Sequence, residues 1–210
     1  RLFLNGEFWY DCYMLERYDT HYFRQNYNTS HRILVKNGTV DADCYSDEEQ
    51  YVYETYMDWV SSTDFSVAAN WEAFREQSDV QSYIDFIVTN YYLGNTDYND
   101  RHNYVVWHAP SQGERQTAAT RWKWCLFDID CLEWRDGFAL AGTPAAVNTF
   151  SQEEILDIRD GSLFRALHSS PAFRQQFVLS FMDMVNTGEL PDTPLHELQA
   201  LGFAIQELAL

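Results

Sequence analysis

Positive charge is scarce in this sequence. The chain has 14 Lys and Arg residues against 32 Asp and Glu residues, for a formal net charge of −18. Only Lys36 and Lys123 are lysines. Because so acidic a chain repels polyanions, we expect neither a nucleic-acid partner nor an anionic membrane surface as a partner.

Long apolar runs and closely paired cysteines are missing as well. No stretch approaches the roughly 20 apolar residues of a membrane span, so we expect no membrane insertion. The four cysteines are Cys12, Cys44, Cys125 and Cys131. None of them forms a Cys-x-x-Cys pair, which argues against a structural zinc site. The number of cysteines neither requires nor excludes disulfides. Because the chain begins at Arg1 rather than Met, we expect a piece or a processed product of a longer chain.

Aromatic residues, by contrast, are abundant. There are 7 Trp, 14 Tyr and 14 Phe, and 46% of all residues are apolar. That supply can fill a sizeable core, and a length of 210 residues suits one domain. We therefore do not expect the whole chain to be disordered.

Turn and helix signals predict a mixed helix-and-strand (α+β) fold with little strand. Asn5-Gly6 and Asn37-Gly38 are favoured hairpin turns. Ser46 with Glu49 predicts a capping box for a helix ending near Val60. Ser78 is predicted to cap a helix that ends near Gly94. Other helices are predicted over "THYFRQNY", "NWEAFREQ", "SLFRALHS", "PAFRQQFVLSFMDMVN" and residues 195–208, and strands over "NYVVWHA" and "RWKWCLFDID".

A polar loop and a strand-end acid pair carry the chemistry. The loop "GNTDYNDRHN" supplies oxygen donors from Asp97, Asn99 and Asn103. In an extended strand, Asp128 and Asp130 share a face. Two carboxylates there are tolerable in solvent or around a hard cation with other oxygen ligands. The pattern thus indicates either a solvated strand end or a site for a cation such as magnesium.

Single residues favour ordinary structural roles. Asp97 alone could cap a turn, and isolated histidines such as His102 and His108 are more often packed or exposed than metal ligands. Cys125 and Cys131 fall on the strand face opposite the two aspartates, so we expect them buried and reduced. The order helix, acid-amide loop, strand, then a strand ending in Asp is that of protein-kinase catalytic loops.

The stretch "YIDFIVTNYYLGNTDYNDRHNYVVW" followed by "RWKWCLFDID" resembles the spore coat protein H (CotH) kinase-like family. Members carry a helix running into Gly-Asn-Thr-Asp, an Asn-Tyr or Asn-Trp, and then Lys-Trp with an apolar strand ending in Asp-Leu-Asp. The segments "FLNGEFWYDCYMLERYD" and "SLFRALHSSPAFRQQFVLSFMDMVNTG" are also similar to that family. The resemblance covers nearly the whole chain.

The resemblance implies an atypical protein-kinase-like fold. In it, residues 1–210 form a single domain that consists mostly of the helical C-terminal lobe and has part of the small lobe at its N-terminus. Residues 1–40 would form the hairpin and inter-lobe segment, and residues 41–210 the helical lobe with the catalytic loop and metal-binding strand. The small lobe's phosphate-binding lysine would lie upstream of Arg1.

The resemblance also implies phosphoryl transfer that depends on ATP and magnesium. Acceptors would be Ser and Thr hydroxyls of a secreted or spore-coat protein, placing the chain outside the cell, on the cell surface or on the spore coat of a bacterium. The implied roles are a catalytic base at Asp97, metal ligands at Asn103, Asp128 and Asp130, and adenine binding near Glu16. Asn99 is an alternative to Asn103, since five residues separate Asp97 from Asn103 where the kinase pattern has four.

Two other functions fit parts of the pattern. A non-catalytic pseudokinase could keep the fold and bind another protein. A metal-dependent glycosyltransferase could use Asp128-Ile129-Asp130, but that class has alternating strands and helices ahead of the motif, whereas the helices here are grouped. The sequence does not define the oligomeric state.

Overall fold

The computed structural model describes residues 2–10, 17–92, 102–110, 120–128 and 161–187. These residues combine helices with small sheets, which confirms the mixed α+β prediction. The chain forms two compact units, Arg1–His31 and Arg32–Leu210. The helix predicted over residues 195–208 lies outside the described residues. None of the described helices is long and apolar enough to cross a membrane.

The first unit begins with the predicted hairpin. Strands β1 (Leu2–Leu4) and β2 (Glu7–Tyr10) pair antiparallel around Asn5 and Gly6. Both turn residues have positive φ angles, 52° and 86°. Asn and Gly tolerate this left-handed backbone better than other residues, which is why the dipeptide forms the turn.

Helix α1 (Thr20–Tyr27) follows, as predicted. Asp19 caps it, because its carboxylate accepts hydrogen bonds from the backbone N–H groups of His21 (2.9 Å) and Tyr22 (3.1 Å). These bonds hold the pKa of Asp19 below its usual value. The helix ends at Asn28, whose φ of 53° is the left-handed conformation common at helix C-termini.

The second unit contains a four-stranded antiparallel sheet with the order β4-β3-β5-β6. Its strands are β3 (Ile33–Lys36), β4 (Thr39–Val40), β5 (Val105–His108) and β6 (Lys123–Cys125). Asn37 and Gly38 form the predicted turn between β3 and β4, with φ angles of 53° and 82°. The sheet thereby joins residues 33–40 to residues 105–108 and 123–125.

Strand β6 is shorter than predicted. The sequence pattern extended it over residues 121–130, but it ends at Cys125. The reason is that Cys125 pairs with Val105, the first residue of β5, so β5 offers no further residue to pair with. Asp128 then has a φ of 53°, which is not extended. The prediction that strand alternation carries through Asp128 is therefore wrong.

Five helices make up the rest of the described part of this unit: α2 (Asp47–Ser62), α3 (Ala68–Gln77), α4 (Val80–Tyr92), α5 (Gly161–His168) and α6 (Pro171–Thr187). The predicted cap of α2 is confirmed, since Ser46 Oγ accepts a hydrogen bond from Glu49 N–H at 3.1 Å. Three acidic residues in the first turn of α2 suit the positive end of the helix dipole.

The predicted cap of α4 is wrong by one residue. Asp79, not Ser78, accepts the hydrogen bond from the Ser82 N–H, at 3.2 Å. Ser78 instead ends α3, and its Oγ lies 2.7 Å from the hydroxyl oxygen of Tyr56. The side chain of Ser78 thus bonds to Tyr56, a tertiary partner, instead of capping α4 as the local pattern predicted.

The core lies between one face of the sheet and the helices. Both tryptophans of the "RWKW" segment, Trp122 and Trp124, are buried in it, as the abundance of aromatics led us to expect. From α6 it receives Phe173, Phe177 and Phe181. Each fully buried side chain of this size contributes about 1.5–3 kcal/mol relative to exposure. The core therefore fixes the helices against the strands that carry the candidate site.

Candidate functional site

Two of the five predicted site residues lie in the described part of the chain, Asn103 and Asp128. Asp97, Asp130 and Glu16 lie outside the described residues, as does the alternative Asn99. Their roles stay predictions.

The sheet brings Asn103 and Asp128 to the same end. Asn103 precedes β5 by two residues, and Asp128 follows β6 by three. Because β5 and β6 are antiparallel neighbours and Val105 pairs with Cys125, the start of one strand lies beside the end of the other. Residues 25 positions apart in the sequence are thus placed at the same end of the sheet.

Both residues have left-handed backbones, with φ angles of 55° at Asn103 and 53° at Asp128. The described part of the chain has three other non-glycine residues with positive φ. Asn5 and Asn37 form hairpin turns, and Asn28 ends a helix. Asn103 instead lies just before β5, and Asp128 lies just after β6. Residues other than glycine seldom adopt this conformation, although Asn and Asp do so more readily than most, and such residues cluster at functional sites.

The side chains of Asn103 and Asp128 at this end of the sheet suit a hard cation. A carboxylate and a carboxamide offer oxygen atoms, which magnesium and calcium prefer. Asp128 is exposed, whereas Asn103 is only 4% exposed. Among the described residues, no group of three or more His, Cys, Asp or Glu side chains could hold a metal. A magnesium site of the kinase type needs no such group, because an Asp, an Asn, the phosphates and water share the ligation.

The residue after Asn103 is held from two directions. The backbone N–H of Tyr104 donates to Asn37 Oδ1 at 3.3 Å, and the N–H of Asn37 donates to the Tyr104 carbonyl at 3.1 Å. The buried hydroxyl of Tyr104 forms a hydrogen bond with that of Tyr53 on α2. The start of β5 is therefore tied both to the β3–β4 turn and to a helix.

The connection between α3 and α4 holds β6 along its outer edge. The N–H of Trp122 donates to the Gln77 carbonyl and the N–H of Asp79 donates to the Trp122 carbonyl, both at 2.8 Å. The N–H of Trp124 donates to Ser82 Oγ at 3.1 Å. Edge strands otherwise expose such groups to water or to other chains. Here they tie β6 to the start of α4.

An ion pair strengthens the same junction. Lys123 on β6 donates to the carboxylate of Asp79, which also caps α4. Burial of this carboxyl acts to raise its pKa, but the Lys123 ammonium and the Ser82 N–H outweigh it and lower the pKa below the usual value. The charged form of Asp79 therefore stabilises the junction. Helix α4 ends at Tyr92, five residues before Asp97 in the sequence.

His108 is packed, as the structural interpretation predicted. Its Nδ1 lies 2.9 Å from the Thr120 carbonyl oxygen, and its ring lies 4.7 Å from that of Trp122. Burial lowers its pKa, against the opposing effect of the Thr120 hydrogen bond. His102 is exposed. Neither belongs to a possible metal cluster among the described residues.

The predicted state of Cys125 is confirmed in part. Its thiol is free and the residue is partly buried, and this burial raises the pKa of the thiol to about 12. Cys44 is also free. Cys131 lies outside the described residues.

Sequence patterns did not identify Asn37, Tyr104 or the Asp79–Lys123 pair as neighbours of the site. The Asn-Gly turn marked Asn37 only as a turn residue. Its contact with Tyr104 spans 67 residues, and that of Asp79 with Lys123 spans 44. Nothing in the spacing of these residues predicts such contacts.

A protein-family model described as "CotH kinase protein" matches residues 1–188. The chain belongs to the CotH kinase family. The predicted resemblance is thereby confirmed, and all five predicted site residues fall within the matched range. Membership of a kinase family indicates ATP and magnesium in general as the cofactors of the class. Comparisons with curated proteins and with solved structures returned no match.

Proposed function

We propose that this chain transfers the γ-phosphoryl group of ATP to Ser or Thr hydroxyls of a protein, in an atypical kinase-like fold. The observation that carries the proposal is the pair of left-handed residues, Asn103 and Asp128, at one end of the sheet. Their order and chemistry match the metal-binding pair of a kinase, in a chain that belongs to a kinase family.

Each candidate residue has a role in this reaction. Asp128 and Asn103 would hold the magnesium ion, with Asp130 as a further ligand, and Glu16 would lie near the adenine. When bound, magnesium neutralises charge on the phosphate oxygens. The acceptor oxygen forms the new bond to phosphorus, the bond to ADP breaks, and Asp97 accepts the hydroxyl proton.

The acceptor class and location follow from the family resemblance. We propose a secreted or spore-coat protein as acceptor, outside the cell, at the cell surface or on the spore coat of a bacterium. The net charge of −18 supports a protein rather than a nucleic acid as partner. Nothing supports the glycosyltransferase alternative, because the described strands form antiparallel ladders rather than the parallel sheet of that class.

One observation favours a non-catalytic pseudokinase as the second candidate. Both lysines of the chain are ion-paired, Lys36 with Asp41 at 2.7 Å and Lys123 with Asp79. A protein kinase also pairs a lysine with the α- and β-phosphates, and the family resemblance implies that this lysine lies upstream of Arg1; these residues acting without it would form a pseudokinase. In this alternative the fold binds another protein and transfers no phosphoryl group.

Calorimetric titration of ATP, with and without magnesium, separates the two candidates. The Asp128→Asn variant removes one carboxylate charge with little change in shape. Asp58→Asn is the matched control, since Asp58 is an exposed aspartate on α2. We expect magnesium-dependent binding by the wild type, a loss of about 10–100-fold in Asp128→Asn, and no change in Asp58→Asn.

Transfer of radiolabelled phosphate to a mixed Ser/Thr protein substrate completes the test. We expect transfer by the wild type and none by Asp128→Ala. Undiminished transfer by Asp128→Ala would refute the assigned role. Wild-type binding without any transfer would favour the pseudokinase.

A further inference from the structure

We propose that Asn37 is a positioning residue for Asn103. It acts through the peptide unit between Asn103 and Tyr104, whose N–H donates to Asn37 Oδ1 at 3.3 Å. The consequence for phosphoryl transfer rests on the proposed function. The consequence for the backbone at Asn103 does not.

The hydrogen bond acts on the conformation of Asn103 directly. The Tyr104 N–H belongs to the same rigid peptide plane as the Asn103 carbonyl, so fixing its direction restricts the ψ angle of Asn103. Asn103 has a φ of 55°, a sparsely populated conformation that persists when its surroundings over-determine it. The return bond from the Asn37 N–H to the Tyr104 carbonyl, at 3.1 Å, holds the next peptide unit as well.

Asn37 is itself held rigidly. It lies in the β3–β4 turn with a φ of 53°, followed by Gly38 at 82°. Gln50 on α2 fastens this turn, because its Oε1 accepts the Val40 N–H at 2.9 Å and its Nε2 donates to the Gly38 carbonyl at 3.3 Å. These hydrogen bonds fix the position of the turn, so the side chain of Asn37 can hold the neighbouring strand β5 in place.

Tyr104 is held on its other side by the same helix. Its hydroxyl bonds to that of Tyr53, which lies one turn after Gln50 on α2. Tyr104 is only 7% exposed. Helix α2 therefore holds both the β3–β4 turn and Tyr104. Asn37 connects the turn to Tyr104, the residue next to Asn103.

The turn by itself needs only a residue that tolerates positive φ. Glycine meets that need, so Asn37→Gly keeps the turn and removes Oδ1. Asn37→Asp keeps an oxygen at the position of Oδ1. The other hairpin supplies a matched control, because Asn5 and Gly6 have nearly the same φ angles, 52° and 86°. Asn5→Gly thus makes the same chemical change in an equivalent turn.

The experiment measures two quantities on the full chain. The first is the magnesium concentration that gives half-maximal ATP binding or transfer. The second is the hydrogen-exchange rate of the Tyr104 amide without nucleotide, followed by NMR. We expect Asn37→Gly to raise the half-saturating magnesium concentration about 10-fold and to speed Tyr104 exchange. We expect Asn37→Asp and Asn5→Gly to resemble the wild type in both.

The outcomes separate the inference from the function on which it rests. Wild-type Tyr104 exchange in Asn37→Gly would overturn the positioning role, whatever the activity. A defect in Asn37→Asp equal to that in Asn37→Gly would also overturn it, because the acceptor oxygen would then be irrelevant. If the wild type shows no magnesium-dependent binding, the proposed function fails, and Tyr104 exchange alone decides whether Asn37 holds the backbone. A urea unfolding curve for each variant identifies any loss that reflects unfolding.

Discussion

Replacing Lys123 by Met tests the junction between β6 and α4. Met keeps much of the apolar stem of Lys123 and removes the ammonium that pairs with Asp79. Asp79 then retains its charge and its bond to the Ser82 N–H, but it loses its main compensation for burial. We expect the variant to fold with reduced stability, because a partly buried carboxylate loses its ion-pair partner and keeps only the weaker influence of Arg121.

The magnitude follows from the exposure of the two side chains, which are 11% exposed for Lys123 and 29% for Asp79. Breaking a fully buried pair by removing one partner costs about 3–5 kcal/mol, whereas an exposed pair contributes about 0–1 kcal/mol. This pair lies between the two limits. We therefore expect Lys123→Met to lower the free energy of unfolding by about 2 kcal/mol.

The only other lysine in the chain provides the control. Lys36 pairs with Asp41 at 2.7 Å, and its side chain is 34% exposed. Because solvent screens this pair, we expect Lys36→Met to cost less than about 1 kcal/mol. The two variants make the same substitution in ion pairs that differ in burial.

Urea unfolding of the full chain, followed by tryptophan fluorescence, measures the difference. Midpoints are comparable if the slope m is unchanged. A loss below about 0.5 kcal/mol for Lys123→Met, or one no larger than that for Lys36→Met, would refute the reasoning. Asp79→Asn is a further check. Asn can still cap α4, so its loss of stability isolates the ion pair from the cap.

Two further predictions follow from partly buried titratable groups. Because burial lowers the pKa of His108, the unfolded state binds the proton more readily, and wild-type stability should fall as pH drops through about 6.5. His108→Gln should weaken that dependence in urea midpoints between pH 8 and 5, and equal slopes would contradict the prediction. Because burial raises the pKa of Cys125 to about 12, its thiol should react with a disulfide reagent at pH 8 only after unfolding, in a variant whose other cysteines are replaced by Ser. Rapid reaction of the native protein would show that the thiol is accessible.

Local signals in the sequence were reliable where the interaction itself is local. The Asn5-Gly6 and Asn37-Gly38 turns and the Ser46 cap form as predicted, because each depends on residues within three or four positions. The prediction failed at Ser78, where Tyr56 takes the hydroxyl from 22 residues away. It also failed for the length of β6, since a strand extends only as far as its partner strand does.

For the candidate site too, the sequence predicted some features and only the tertiary structure decided the others. The sequence by itself determined membership of the CotH kinase family, and it predicted the chemistry of the site, since the order of acid and amide residues is typical of a kinase catalytic loop. Only the tertiary structure decided that Asn103 and Asp128 lie at the same end of the sheet with left-handed backbones. It also decided that Asn37 accepts a hydrogen bond from the Tyr104 N–H and that Asp79 pairs with Lys123. These contacts join residues 44–67 positions apart, and they exist because antiparallel pairing and a shared helical core bring distant segments together.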